Sequence, residues 1–260
     1  MTEKVKKKNG IDMLNGPLAK KLVMFALPIF ASSSLQQLFN SADVAVAGRF
    51  ARDGALAAVG SNSVLVGLFV NLFVGLSVGA NVVISQLIGQ QNTKEVKPVV
   101  QTSMLFSLIC GIFSAVVGIV LSRPLLELID TPADVLDRAV MYLRIYCIGM
   151  PFIIPYNYGA AILRSIGDTK RPMFCLIGSG VLNVCLNLLL VIVFKMDVAG
   201  VAVATVVSNI FSSIVVIIIL CRETSVLRLD LKQLRIEVRS LKMILRIGAP
   251  AALQSAVFSL

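Results

Sequence analysis

Lys20–Leu38 reads KKLVMFALPIFASSSLQQL, and 222 residues later Lys242–Leu260 reads KMILRIGAPAALQSAVFSL. Across that shift Lys20 meets Lys242, Pro28 meets Pro250, Ser33 meets Ser255 and Leu38 meets Leu260. Most other columns pair small or aliphatic residues. A basic foot, an apolar turn, a proline and then small polar residues recur in one order, which reads as an internal structural repeat. The second copy stops inside an apolar stretch. The expectation is one full repeat plus the first helix of another.

Composition places that repeat in a membrane. The chain of 260 residues is 57% hydrophobic and 15% charged, with a mean hydropathy of +0.89. A soluble domain of this length needs more polar surface. Apolar runs near the ~20 residues demanded by a bilayer core predict helices at 22–48, 55–83, 99–121, 139–161, 173–194 and 198–220, with a seventh from 243. No period-2 alternation suggests a barrel, so the expected fold class is all-α, a polytopic membrane protein.

The net charge of +10 could suggest nucleic acid, but its distribution argues for a lipid bilayer as the partner instead. Eighteen of the 24 basic residues fall on the side of the N-terminus, from Lys4–Lys8 through Lys94, Lys97, Arg164, Lys170 and Arg171 to the run between Arg222 and Arg246. The positive-inside rule then puts the N-terminus in the cytoplasm, in a multi-pass protein of the plasma membrane. Ala45-Val46-Ala47 mimics a cleavage site, yet the apolar run before it is too long and further spans follow, so the first helix reads as uncleaved.

From these boundaries, residues 1–21 form a basic cytoplasmic N-terminus and 22–221 a six-helix lobe. Residues 222–242 form a cytoplasmic amphipathic linker, and 243–260 the first helix of a truncated second lobe. In the linker, Leu227, Leu231, Leu234, Val238, Leu241 and Leu245 step by 4, 3, 4, 3 and 4, with basic residues one position later. That pattern predicts a helix lying on the membrane surface. Six spans return the chain to its starting side, so a second copy would run parallel to the first. Two such lobes flanking a path suit a transporter.

Polar groups inside the spans are costly and therefore informative. At about 1.5 Å per residue, Asp43, Asn187, Thr205 and Tyr142 each lie about 6–12 Å below the outer ends of their helices. Asn183 sits one turn from Asn187 on the same helical face. A carboxylate, two amides, a hydroxyl and a phenol at one depth can bind a cation or hold a proton. The same oxygens of Asp43, Asn183, Asn187 and Thr205 offer a sodium site. A carboxyl taken out of water among neutral partners favours its uncharged form, which suits proton exchange. Interhelical hydrogen bonding is the competing structural reading. Gln36, Pro28 and Asn157 are candidates for a substrate path or gate. Gly67, Gly75 and Gly79 point to close helix packing.

Other chemistry is hard to place. The sequence has no histidine and five cysteines, all in or beside predicted helices and without a CxxC. Free buried thiols are expected. No nucleophile elbow or phosphate loop is present, so neither an enzyme nor a bound cofactor is expected.

Several stretches together resemble the multidrug and toxin extrusion (MATE) family. They are ALPIFASSSLQQLFNSADVAVAGRF in the first helix, GLSVGANVVISQLIGQ at Gly75–Gln90, TPADVLDRAVMYLRIYCIGMPF at Thr131–Phe152 and, most specifically, AILRSIGDTKRPM at Ala161–Met173. The resemblance implies twelve helices in two lobes and export of cationic or amphipathic small molecules, driven by proton (H+) or sodium (Na+) entry. It also implies a cation site at Asp43, Asn183, Asn187, Thr205 and Tyr142. Asn187 stands where many members carry aspartate, which weakens sodium binding. The alternatives are a flippase of lipid-linked saccharides from the same superfamily and a non-transporting truncated product. A chain lacking its C-terminal lobe is expected not to transport alone.

Overall fold

Each apolar run folds as a helix, and most continue beyond the lengths read from hydropathy because their polar ends stay helical. In the computed structural model, residues 18–50 and 55–257 are described. The Lys4–Lys8 tract, Arg52 and the last three residues of the repeat lie outside the described residues. The order is α1 (Leu18–Phe50), α2 (Ala55–Gly89), α3 (Thr93–Leu128), α4 (Ala133–Ile148), α5 (Met150–Ser165), α6 (Lys170–Leu188), α7 (Asp197–Arg222) and α8 (Val238–Val257). No strand occurs among the described residues. Among the described residues five helices are long and apolar enough to cross a membrane, or six if α4 and α5, bent by 50° to one another, count as one span.

That bend corrects the single helix expected at 139–161. Pro151 occupies the first turn of α5 and has no N–H to give to the preceding turn. The ladder breaks at Gly149, whose N–H bonds to the Tyr146 carbonyl at 2.9 Å and whose carbonyl accepts from Phe152 and Ile153. Pro28 and Pro250, by contrast, lie inside α1 and α8. The Ser32 hydroxyl donates to the Pro28 carbonyl at 2.7 Å.

Buried side chains from α2, α3, α4, α5 and α7 make one core, centred on Tyr158, Leu143, Met150 and Ile154. Apolar side chains such as Phe30, Phe113, Val120 and Val193 remain exposed around it, a surface suited to lipid. Polar groups join the helices from within. Asn62 donates to the Ala139 carbonyl at 3.0 Å, and Asn81 to the Ala161 carbonyl at 2.8 Å. Hydroxyls on the spans mostly bond back to their own helix, as Ser103 does to Val99 at 2.7 Å.

Helix α8 packs along α2. The glycines flagged at Gly75 and Gly79 explain how closely. A Cβ at either position would overlap backbone atoms of α8, those of Ala252 and of Ile244 and Gly248. Only glycine permits that approach.

The connector departs from the predicted surface helix. Residues 223–237 run irregularly, with a single 3₁₀ turn at Leu231–Gln233. Leu227 and Leu229 are both buried, whereas Leu231 and Val238, on the predicted apolar stripe, are exposed. The Leu229 N–H instead bonds to the Leu220 carbonyl at 3.0 Å and closes the end of α7. Nearby, Arg171 pairs with the buried Asp168 and, at 2.7 Å, with Glu223, tying the start of α6 to the end of α7. All five cysteines are free thiols, and Cys185 is exposed where burial was expected.

Candidate cation site

Asp43 lies two turns before the end of α1. Asn183 and Asn187 lie one turn apart on α6, and Thr205 lies on α7. Phe39 brings α1 onto α6: its ring fills the space that a Cβ at Gly180 would need. One turn further along α1, Asp43 meets Asn187. Directly after Asn187 the helix opens into a wide turn at Leu189–Val193. Such π turns locally re-aim a helix and often sit beside functional residues.

The resulting network is specific. The Asn187 amide donates to Asp43 Oδ1 and, at 3.2 Å, to Asn183 Oδ1. The Asn183 amide donates to Thr205 Oγ1 at 3.4 Å. Thr205 Oγ1 lies 3.4 Å from Asp43 Oδ2 and 2.9 Å from the Val201 carbonyl. A hydroxyl has one proton, so the nearer carbonyl holds it and the carboxylate contact is secondary. Asn187 is fully buried and Asn183 nearly so. Both N–H bonds of Asn187 are used, whereas its Oδ1 has no partner.

The other sequence candidates divide. Tyr142 is buried and stacks on Tyr146, with centroids 6.3 Å apart and planes at 20°. It lies within electrostatic reach of Asp43 but does not share the hydrogen-bond network. Gln36 and Asn157 line a cavity of about 90 Å³ with Asp43, Asn183 and Thr205. Asn157 also donates to the Ile153 carbonyl at 2.8 Å. Pro28 is absent from that lining. Sequence reasoning missed Tyr146 and Asn209, which do line it. Each lies one turn beyond a residue already singled out, Tyr142 and Thr205, so helical spacing could have found them.

The lining contains one acid, Asp43, and no lysine or arginine. A volume of this size suits an ion with a few waters rather than a drug-sized molecule. Sodium takes oxygen ligands. The carboxylate of Asp43, Asn183 Oδ1 and Thr205 Oγ1 are at hand, and a half-turn of the Asn187 amide would bring its unpartnered Oδ1 inward. A proton needs only the carboxylate and its amide donor.

Residues 28–189, more than half of the chain, match the MatE family. The chain belongs to the MatE family. Among curated relatives, this MatE chain is 30% identical over 248 residues to the probable multidrug resistance protein YoeA of Bacillus subtilis (strain 168), covering 93% of this chain and 54% of that protein. It is 24% identical over 236 residues to the multidrug export protein MepA of Staphylococcus saprophyticus, covering 91% of this chain and 52% of that protein. Among solved structures, a crystal structure of MATE in the bent conformation superposes with a TM-score of 0.87 at 27% identity, over 94% of this chain and 55% of that one. A MOP superfamily transporter from Pyrococcus furiosus, described as having a binding pocket of reverse polarity, gives 0.87 at 26% identity, over 95% and 54%. The MatE chain thus spans about half the length of the relatives it matches.

Proposed function

We propose that this chain is the cation-coupled lobe of an antiporter exporting cationic or amphipathic small molecules, with Asp43 exchanging the coupling ion. The observation that carries this reading is a single carboxylate, Asp43, that accepts from the Asn187 amide and lies 3.4 Å from Thr205 Oγ1, with Asn183 linking those two partners. All of these hydrogen-bonding partners are neutral. A carboxylate among neutral groups inside an apolar bundle needs a positive charge to offset its burial. An entering proton or sodium ion supplies that charge. One carboxylate with an amide donor fits a proton better than sodium, which would need Asn187 to turn. The relatives named for multidrug resistance and multidrug export support the substrate class. A cavity lining without lysine or arginine favours the exporter over a flippase of lipid-linked saccharides, which would favour a broad basic cavity.

In this reading the full-length protein carries a second six-helix lobe and sits in the plasma membrane with its N-terminus cytoplasmic. The test is efflux of a fluorescent organic cation from proteoliposomes of the full-length protein, under an imposed ΔpH or an imposed sodium gradient. Efflux should follow ΔpH and respond weakly to sodium. Efflux driven by sodium alone would overturn the proton assignment, and efflux indifferent to both gradients would overturn antiport.

A further inference from the structure

At the basic end of the bundle, away from Asp43, the start of α3 and the connector line a second, open cavity. Its volume is about 460 Å³, and it is lined by Lys97, Pro98, Gln101, Gln233, Leu234 and Arg235. The connector is anchored there by two contacts. The Thr102 hydroxyl faces the Arg235 carbonyl at 3.4 Å, and the Glu237 N–H donates to Thr102 Oγ1 at 3.1 Å. Both run through the Thr102 hydroxyl and hold the connector beside the cavity.

The lining is a set of donors. Lys97 reaches Gln233 Oε1 at 3.4 Å and keeps its other N–H groups free to donate. Arg235 makes no ion pair among the described residues. Gln101 is 4% exposed, and its amide nitrogen is buried without a hydrogen-bond partner. A buried N–H donor left unmade costs about 1–3 kcal/mol, and an anion seated between the two cations would supply its acceptor. The acids close by are engaged elsewhere: Glu95 pairs with Arg239 at 3.5 Å, and Glu237 accepts from Ser240 at 2.7 Å.

We propose that the cavity between α3 and the connector binds the phosphate of an anionic phospholipid headgroup, with Lys97 and Arg235 flanking the anion and the Gln101 amide donating from the floor. A phosphodiester offers one negative charge and several acceptor oxygens, which this lining matches. Basic pockets where helices leave the hydrocarbon are where such headgroups collect. The site is separate from the cation site, and its test does not depend on transport.

The test is native mass spectrometry of the full chain, released from micelles holding equal amounts of phosphatidylglycerol and phosphatidylcholine. One phosphatidylglycerol should be retained per chain. Lys97→Ala with Arg235→Ala should cut retention about tenfold, Gln101→Leu should weaken it, and Lys232→Ala, an exposed cation outside the lining, should leave it unchanged. Equal retention of both lipids, or an equal loss on Lys232→Ala, would overturn the proposal. Millimolar inorganic phosphate displacing the lipid would assign the site to a soluble anion and overturn the lipid as its ligand. Both cations are exposed, so their removal tests binding even where Gln101→Leu fails to fold.

Discussion

Asn187 gives both of its N–H groups away, one to Asp43 and one to Asn183. An aspartate in its place would withdraw a donor from Asp43 and add a second carboxylate. For Asn187→Asp we expect sodium to become the better coupling ion, with the half-saturating sodium concentration for efflux falling about tenfold or more. An unchanged sodium response would mean that the amide does not set ion choice. Tyr142→Phe is expected to change coupling far less, because the phenol stacks on Tyr146 and stays outside the network. A loss as large as that from Asp43→Asn would return the phenol to the site. Four of these side chains were legible in the sequence, since depth along each helix and the spacing of Asn183 and Asn187 placed them together. Tyr142 was placed by depth and by the family resemblance, and neither carries information about which way its ring turns here.

Between elements, the approach of α1 to α6 rests on Phe39 over Gly180. Gly180→Ala should overfill that contact, cost about 1–3 kcal/mol and move Asp43 away from Asn187. Adding Phe39→Ala should recover much of the loss, as read by thermal melting in detergent. No recovery would show that the ring is not what Gly180 accommodates. At the other end, Asp168 is 2% exposed and pairs with Arg171. Removing one partner of a buried pair leaves the other charge uncompensated. Arg171→Leu should therefore destabilise by about 3 kcal/mol, and a melting temperature within error of the parent would contradict this. The connector shows where sequence periodicity misled. Its leucines step as in a helix, yet Leu227 and Leu229 both turn inward because the chain must close the end of α7. Local pattern yields to tertiary closure there. The bend at Gly149 was not legible from hydropathy, which runs straight through Pro151 although a proline there cannot donate to the preceding turn.

For the whole molecule, the all-α membrane fold was legible because composition and apolar run length leave few other structures in lipid. The arrangement of α8 against α2 was legible only as a glycine spacing, and its partner helix was not. The chain spans about half the length of its MatE relatives, and we expect these 260 residues alone to give no drug resistance, with resistance appearing when a second lobe is supplied. Resistance from this chain alone would contradict the two-lobe reading. The most direct measurement concerns Asp43. Full-length protein and its Asp43→Asn variant are reconstituted side by side, and ΔpH-driven efflux of an organic cation is followed in each. We expect the variant to bind the cation yet lose gradient-driven efflux by about a hundredfold or more, the scale of a group acting directly in the exchange. Undiminished ΔpH-driven efflux by the variant would contradict the assignment of Asp43 as the residue that exchanges the coupling ion.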